Sequence, residues 1–256
     1  TTLFRSNVLH HYHLGTEKDP DVVWRNAEKI RNLKMPIAIR YLLAVVLACI
    51  WKPFYYAPNT IAEARHHQKL SKTNRIGWHS WNPLTPEGRE LWIGSLLPYS
   101  IFKFAILPSL FLPLGAGAAT CVLANSVLAE IFTNFHSFAT IGPNHTGDDV
   151  FTFSTAARGK SEFYLRQIVG TINFPTGNDR IDFLYGGMNY QIEHHLWPDA
   201  TLLQCQRVRP KLKKLCHDFG IPYKEEKLLP RVLVTIKTMA GSCAKLETTS
   251  QTGGIW

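Results

Sequence analysis

Eleven of the 256 residues are histidine, and they are clustered. The densest group is Gln191-Ile192-Glu193-His194-His195. On a helix, positions i, i+3 and i+4 share one face, so Gln191, His194 and His195 could converge on one or two metal ions. A bare His pair at this spacing fits an exposed surface pair as well. A second pair, His10-His11, lies near the N-terminus with His13 close by, and Asn144-His145 offers a third position. Several imidazoles with few carboxylates make a nitrogen-rich, borderline-soft site suited to iron, zinc or copper. No HExxH occurs, because Glu193 precedes its His pair, which argues against a membrane zinc protease.

Elements must bring these distant residues together, and the apolar residues are blocked in a way that suggests which. From Leu96 to Ile141 the only charges are Lys103 and Glu130, and Pro113-Leu114-Gly115-Ala116-Gly117 interrupts the run near its middle. This reads as a transmembrane hairpin, Leu96–Pro113 and Ala118–Ile141, each limb close to the roughly 20 residues a span needs. Two buried helices of a large soluble protein are the alternative. Ile37–Trp51 is apolar but, at about 1.5 Å per residue, short for a core of about 30 Å. With Lys34, Arg40 and Lys52 beside or within it, an interfacial helix is expected. Residues 57–90 are expected to be a polar loop, with prolines at 58, 83 and 86. Residues 142–190 are polar and turn-rich. Gln204–Phe219 reads as an amphipathic helix with Val208, Leu212, Leu215 and Phe219 as its apolar stripe, set either against solvent or against anionic lipid headgroups. Residues 241–256 have the composition of a disordered tail.

The two crossings return the chain to the side it left. The N-terminal polar region and residues 142–240 then share one membrane face, which carries most of the Lys and Arg. The positive-inside rule makes that face cytoplasmic, or stromal in a plastid. The expected fold is all-α: a membrane-embedded helical bundle, with a transmembrane hairpin plus an interfacial helix, under a cytoplasmic helical cap carrying the His-rich site. Residues 1–240 form one partial domain.

Lys and Arg number 28 against 19 Asp and Glu, a net charge of +9. That suits an anionic partner, but no basic run is interleaved with aromatics as in nucleic-acid binders, so no nucleic acid is expected. The five cysteines are an odd number without CxxC, the usage of small buried side chains in a reducing compartment. Thr1–His13 is polar, without a secretory signal or a starting Met, as expected of a segment of a longer chain.

Asn189-Tyr190-Gln191-Ile192-Glu193-His194-His195-Leu196-Trp197-Pro198 resembles the third histidine box of membrane fatty acid desaturases, in the Gln-first form common in front-end acyl and sphingolipid desaturases. Asn144-His145-Thr146-Gly147 resembles that family's isolated His after the fourth membrane helix. Asn7-Val8-Leu9-His10-His11, followed by Asp19-Pro20-Asp21-Val22, resembles its second box. The resemblance covers roughly residues 5–225. It implies His10, His11, His145, Gln191, His194 and His195 as metal ligands, with Asn7, His13, His136, Asp148 and Glu193 as further ligands or as partners that orient them. Asp19, Asp21, Asp149 and Asp182 are also in reach of an orienting role. His66, His67, His79 and His217 are expected to lie outside the site. The second box should open with His; the two registers place Asn7 or Ser6 there. The first box and first membrane hairpin would lie upstream, so this segment by itself is expected to bind fewer than two irons and to be inactive.

What the resemblance implies is an oxidoreductase: an oxygen-dependent acyl-lipid or acyl-CoA desaturase with two iron ions and dioxygen as co-substrate. Unactivated methylene C–H bonds are not acidic, so no side-chain base can remove their hydrogens, and the hard chemistry belongs to the cofactor. Cytochrome b5 or a ferredoxin would supply electrons, and the basic face would steer such an acidic donor. The chain would be an integral membrane protein, of the endoplasmic reticulum or a plastid membrane. An acyl hydroxylase on the same scaffold, or a homologue whose site has decayed, remains open at this stage.

Overall fold

The computed structural model describes residues 8, 10–19, 23, 27–73, 75–243 and 247–248. Helix dominates, and the chain divides into two compact units: one holds Val45–Phe138, the other Asn7–Ala44 and Ala139–Trp256. Helix α1 (Ile37–Cys49) passes from the second unit into the first.

In the first unit α2 (Ala57–His67) follows a helical stretch, Lys52–Tyr56, and together they bend 96° away from α1. Residues 57–90 were expected to be a loop; most of them are helical. The prolines misled, because Pro86 occupies a first turn, where no backbone N–H is needed, and Pro58 is carried within a helical run just after its π-helical stretch, Lys52–Tyr56. Helix α3 (Pro86–Leu114) starts ten residues before the expected limb, behind a cap in which Thr85 Oγ1 accepts from Gly88 N at 3.0 Å. It contains two π-helical stretches, Trp92–Leu96 and Phe102–Ile106. Gly115, at φ 105°, makes the break the sequence announced, and α4 (Ala116–Ile141) returns. Among the described residues two helical runs are long and apolar enough to cross a membrane, Pro86–Leu114 and Ala116–His145. Phe102, Ile106, Leu128 and Phe132 stand exposed along them, as side chains facing lipid would.

In the second unit α4 runs into a 3-10 turn, Gly142–His145, which carries His145. Then come α5 (Lys160–Val169), α6 (Asp179–Leu184), α7 (Gln191–Leu196), α8 (Leu202–Asp218) and α9 (Leu228–Ala240). Thr201 and Gln204 form a capping box that starts α8 close to the expected residue. Its buried stripe differs from expectation. Cys205, Leu212 and Cys216 are buried, while Leu215 and Phe219 are exposed. Cysteine supplied the apolar spacing, and all five cysteines are free. Ile168, Ile192, Leu196, Leu212 and Cys216 form the core that joins α5, α7 and α8. Thr152–Phe153 (β1) pairs in parallel with Glu247–Thr248 (β2), within the segment expected to be a tail.

Gly88 tests the α3 cap. A Cβ there would stand 1.9 Å from the Asn82 carbonyl oxygen, whereas at Gly94 the nearest atom is 3.9 Å away. Gly88→Ala is expected to cost about 1–3 kcal/mol, as forced overpacking does, and Gly94→Ala to be neutral. Thermal unfolding in detergent measures both.

Candidate metal centre

The second unit gathers five imidazoles from three parts of the chain. Residues 10–13 are helical, and the chain then turns back through Gly15, at φ 66°. That turn brings Asp19 onto His10. Asp19 Oδ1 accepts from His10 Nδ1 at 2.8 Å, and Oδ2 accepts from Gly15 N at 2.9 Å. With its Nδ1 proton held by a carboxylate, His10 has Nε2 as its lone-pair nitrogen. Asp19 was one of the acidic residues in reach by sequence. Gln167, on α5, was not foreseen. Its Oε1 accepts from His195 Nδ1 at 3.1 Å, and its Nε2 donates to the His11 carbonyl at 3.1 Å. It thus ties the first His segment to α7 and fixes the His195 tautomer.

Ring centroids of His10, His145 and His195 lie 4.8–5.0 Å apart, a nearly equilateral triangle. His11 lies 4.7 Å from His194 and 4.5 Å from His195. The two groups share His195. One nitrogen each from His10, His145 and His195 fall within 4.8 Å of one another. Donors on opposite sides of one ion, each bonded at about 2.0–2.1 Å, stand about 4 Å apart, so a small contraction closes the triangle on a metal.

Gln191 Nε2 lies 3.0 Å from His145 Nε2 and 3.2 Å from His195 Nε2, and its Oε1 accepts from Asn144 Nδ2 at 3.3 Å. Two imidazole lone pairs therefore point at one place, where an amide N–H satisfies them. A metal ion accepts electron pairs in the same way, so the donor set fits one. His11 Nδ1 is among the buried polar atoms without a hydrogen-bond partner among the described residues, which fits the same reading.

Burial, and then repulsion from the neighbouring imidazoles His194 and His10, holds His11 down at about 3. Burial also lowers His194, with His10 adding to it, and pushes His195 well below its ordinary range. His11, His194 and His195 are thereby held in the neutral form, in which imidazole binds metal.

The surrounding network is dense. Arg231 of α9, 1% exposed, pairs with Asp149 at 2.7 Å and donates to the Thr146 carbonyl at 2.5 Å, holding the turn that bears His145. Asp182 accepts from Asn189 Nδ2 at 2.6 Å and from Tyr190 OH at 2.9 Å, anchoring the entrance to α7. Glu193 points away from the imidazoles, being about 200° round the helix from Gln191 at 100° per residue. Asp148 is exposed. The His13 carbonyl accepts from Thr16 within the turn. His136 belongs to the first unit and is exposed, as are His66 and His67. Asn7, Ser6 and Asp21 lie outside the described residues.

A family model described as fatty acid desaturase matches residues 5–227. Among curated proteins, the chain is 30% identical over 129 residues to an NADPH-dependent stearoyl-CoA 9-desaturase of Mycobacterium tuberculosis, covering 49% of this chain and 30% of that one. It is 28% identical over 153 residues to an acyl-lipid (8-3)-desaturase of Physcomitrium patens, covering 59% and 31%. It is 27% identical over 230 residues to an acyl-lipid (7-3)-desaturase of Rebecca salina, covering 85% and 47%. The chain thus spans less than half the length of these relatives. No solved structure matches it significantly.

Two expectations follow from this geometry. Gln167→Ala frees the His195 tautomer and should weaken divalent-metal binding by about 10–100-fold, the usual effect of removing an orienting partner; titration with Co2+ measures it, and unchanged affinity would refute the role. The metal-free protein should also lose stability in acid. Well above pH 6.5, His11, His194 and His195 are neutral whether folded or not. Below it, unfolded histidines take up protons while His11 resists until about pH 3, so stability falls across that window. Denaturant unfolding at stepped pH reads this directly.

Proposed function

Because the chain belongs to the fatty acid desaturase family, we propose that it carries part of the metal centre of an oxygen-dependent acyl desaturase. His10, His11, His145, His194 and His195 are the imidazole ligands in this reading, and Gln191 is either a weak oxygen ligand or the hydrogen-bonding neighbour of two of them. The observation that carries it is the convergence of five histidines, from three separated segments, on one buried locus. Two iron ions held there, with dioxygen, would supply the oxidising power needed to take two hydrogens from unactivated methylenes.

The chain's own groups do the rest. Asp19 and Gln167 hold Nδ1 protons on His10 and His195 and so aim their lone pairs inward. Burial favours the neutral form of His11, His194 and His195, ready to ligate without releasing protons. An acyl lipid or acyl-CoA is the substrate class, in keeping with the names of the relatives. The two apolar helical runs anchor the protein where such chains are dissolved. Cytochrome b5 or a ferredoxin is the electron donor proposed, and the exposed Arg207, Lys211, Lys213 and Lys214 of α8 suit an acidic protein. The endoplasmic reticulum or a plastid membrane is the location this reading implies, and the distribution of positive charge supports a cytoplasmic or stromal side for the site.

His145 supplies the test. In the full-length protein His145→Ala should abolish acyl desaturation, read as product by mass spectrometry, while membrane insertion stays intact. His66→Ala, on the exposed end of α2, should leave turnover unchanged. Normal turnover by the His145 variant would remove that residue from the ligand set.

A further inference from the structure

Glu193 lies within the box helix but faces away from the histidines. It is fully buried. A buried carboxylate needs donors, and here it has two well-made ones. Tyr223 OH donates to Glu193 Oε1 at 2.6 Å, and Asn173 Nδ2 donates to Glu193 Oε2 at 2.8 Å. Asn173 Nδ2 also donates to Tyr223 OH at 2.7 Å, closing a triangle, while its Oδ1 accepts from Ile192 N at 2.8 Å. The backbone of Asn173 is itself pinned: its N–H donates to Lys224 O, and its carbonyl accepts from Glu226 N, both at 3.0 Å. Every polar group of the Asn173 side chain is thus engaged.

We propose that Asn173, Glu193 and Tyr223 form a positioning triangle that sets the rotation of α7, and through it the placement of Gln191, His194 and His195 about the metal. Helix α7 has only six residues, too few to hold its own orientation, so tertiary contacts must fix it. Ile192 and Leu196 pack into the core, yet apolar packing is non-directional. The carboxylate bonds are directional and short, as charge-assisted bonds are. One side of the helix is locked to Asn173 and Tyr223, and the other presents the ligands. A rotation by even 20° about the helix axis would carry a ring nitrogen several ångströms out on its side chain by more than the tolerance of a metal bond. Asn173, Glu193 and Tyr223 touch neither substrate nor metal in this account; they act through α7.

The inference rests on the metal reading, and the test separates the two. Tyr223→Phe keeps the ring in the core and deletes one bond; Glu193→Gln sets an amide N–H or a weaker oxygen against two donors. In the metal-free protein each variant should speed amide hydrogen exchange across residues 191–196 about tenfold, whereas Tyr164→Phe, on an exposed side chain, should not. In the full-length protein loaded with Co2+, each should weaken binding about tenfold and shift the ligand-field bands. Unchanged exchange overturns the proposal. So does faster exchange with an unchanged Co2+ spectrum, because that leaves the triangle a merely structural role. Should the wild-type full-length protein bind no Co2+, the metal reading falls and exchange alone decides whether the triangle holds the helix. If Glu193→Gln fails to fold, Tyr223→Phe carries the same readouts.

Discussion

The site depends on keeping several imidazoles neutral, buried and aimed at one point. Each ring has two nitrogens, and a ring that turns its N–H inward offers a donor where an electron pair is needed. The protein answers this with oxygen acceptors placed behind the rings: Asp19 behind His10 and Gln167 behind His195. Mutual repulsion and burial complete the arrangement, since a proton on any one ring would face the others at ring separations near 5 Å. A metal ion, by contrast, is a positive charge that several lone pairs can share.

Those acceptors would be useless if the three His segments drifted. Gln167 ties in the first of them, and what spaces the other two is a buried segment, Thr171–Phe174, in the second unit. Its successive N–H groups reach three different parts of the chain: Ile172 to the Asn144 carbonyl beside His145, Asn173 to Lys224 and Phe174 to Asn189 at the entrance of α7. Hydrogen bonds of this kind contribute only about 1 kcal/mol each, but breaking one leaves a buried group unpaired at about 1–3 kcal/mol. The segment therefore acts as a ruler, rigid because every deviation exposes an unsatisfied group. Arg231 does the same for the His145 turn, with a guanidinium that reaches the Asp149 and Glu226 carboxylates and a backbone carbonyl at once.

The sequence made the clustered histidines legible and left the scaffold mostly hidden, for a physical reason. His10, His11, His145, His194 and His195 stand out because imidazole pairs at helical spacing are chemically unusual. The hairpin showed because apolar composition is additive along a span. Asp19 could be named since it lies near His10 in the chain. Gln167, Asn173, Tyr223 and Arg231 could not, because ordinary polar residues gain their roles only from long-range pairing that no local pattern encodes. The helices within residues 57–90 were hidden by a different ambiguity: proline breaks a helix in its interior but favours its first turn, and composition cannot say which applies. The α8 stripe was misread through cysteine, which packs here as a small apolar residue at positions 205 and 216.

Lys103 and Glu130 show how the two apolar runs tolerate charge. Either ion alone would be costly in hydrocarbon, by a few kcal/mol or more. In the first unit they pair directly across α3 and α4, Tyr99 OH also donates to the Glu130 carboxylate, and Asn134 Nδ2 donates to Glu130 Oε1 at 2.7 Å. Asn134 then accepts from Lys52 N at 2.6 Å, capturing the helical stretch that leads into α2. The two charges within the runs thus neutralise one another and specify which faces of the runs meet. Apolar side chains in lipid have no preferred partner, since lipid tails are as apolar as they are. A half-buried ion pair does, so the polar exceptions, rather than the apolar majority, give this hairpin its register.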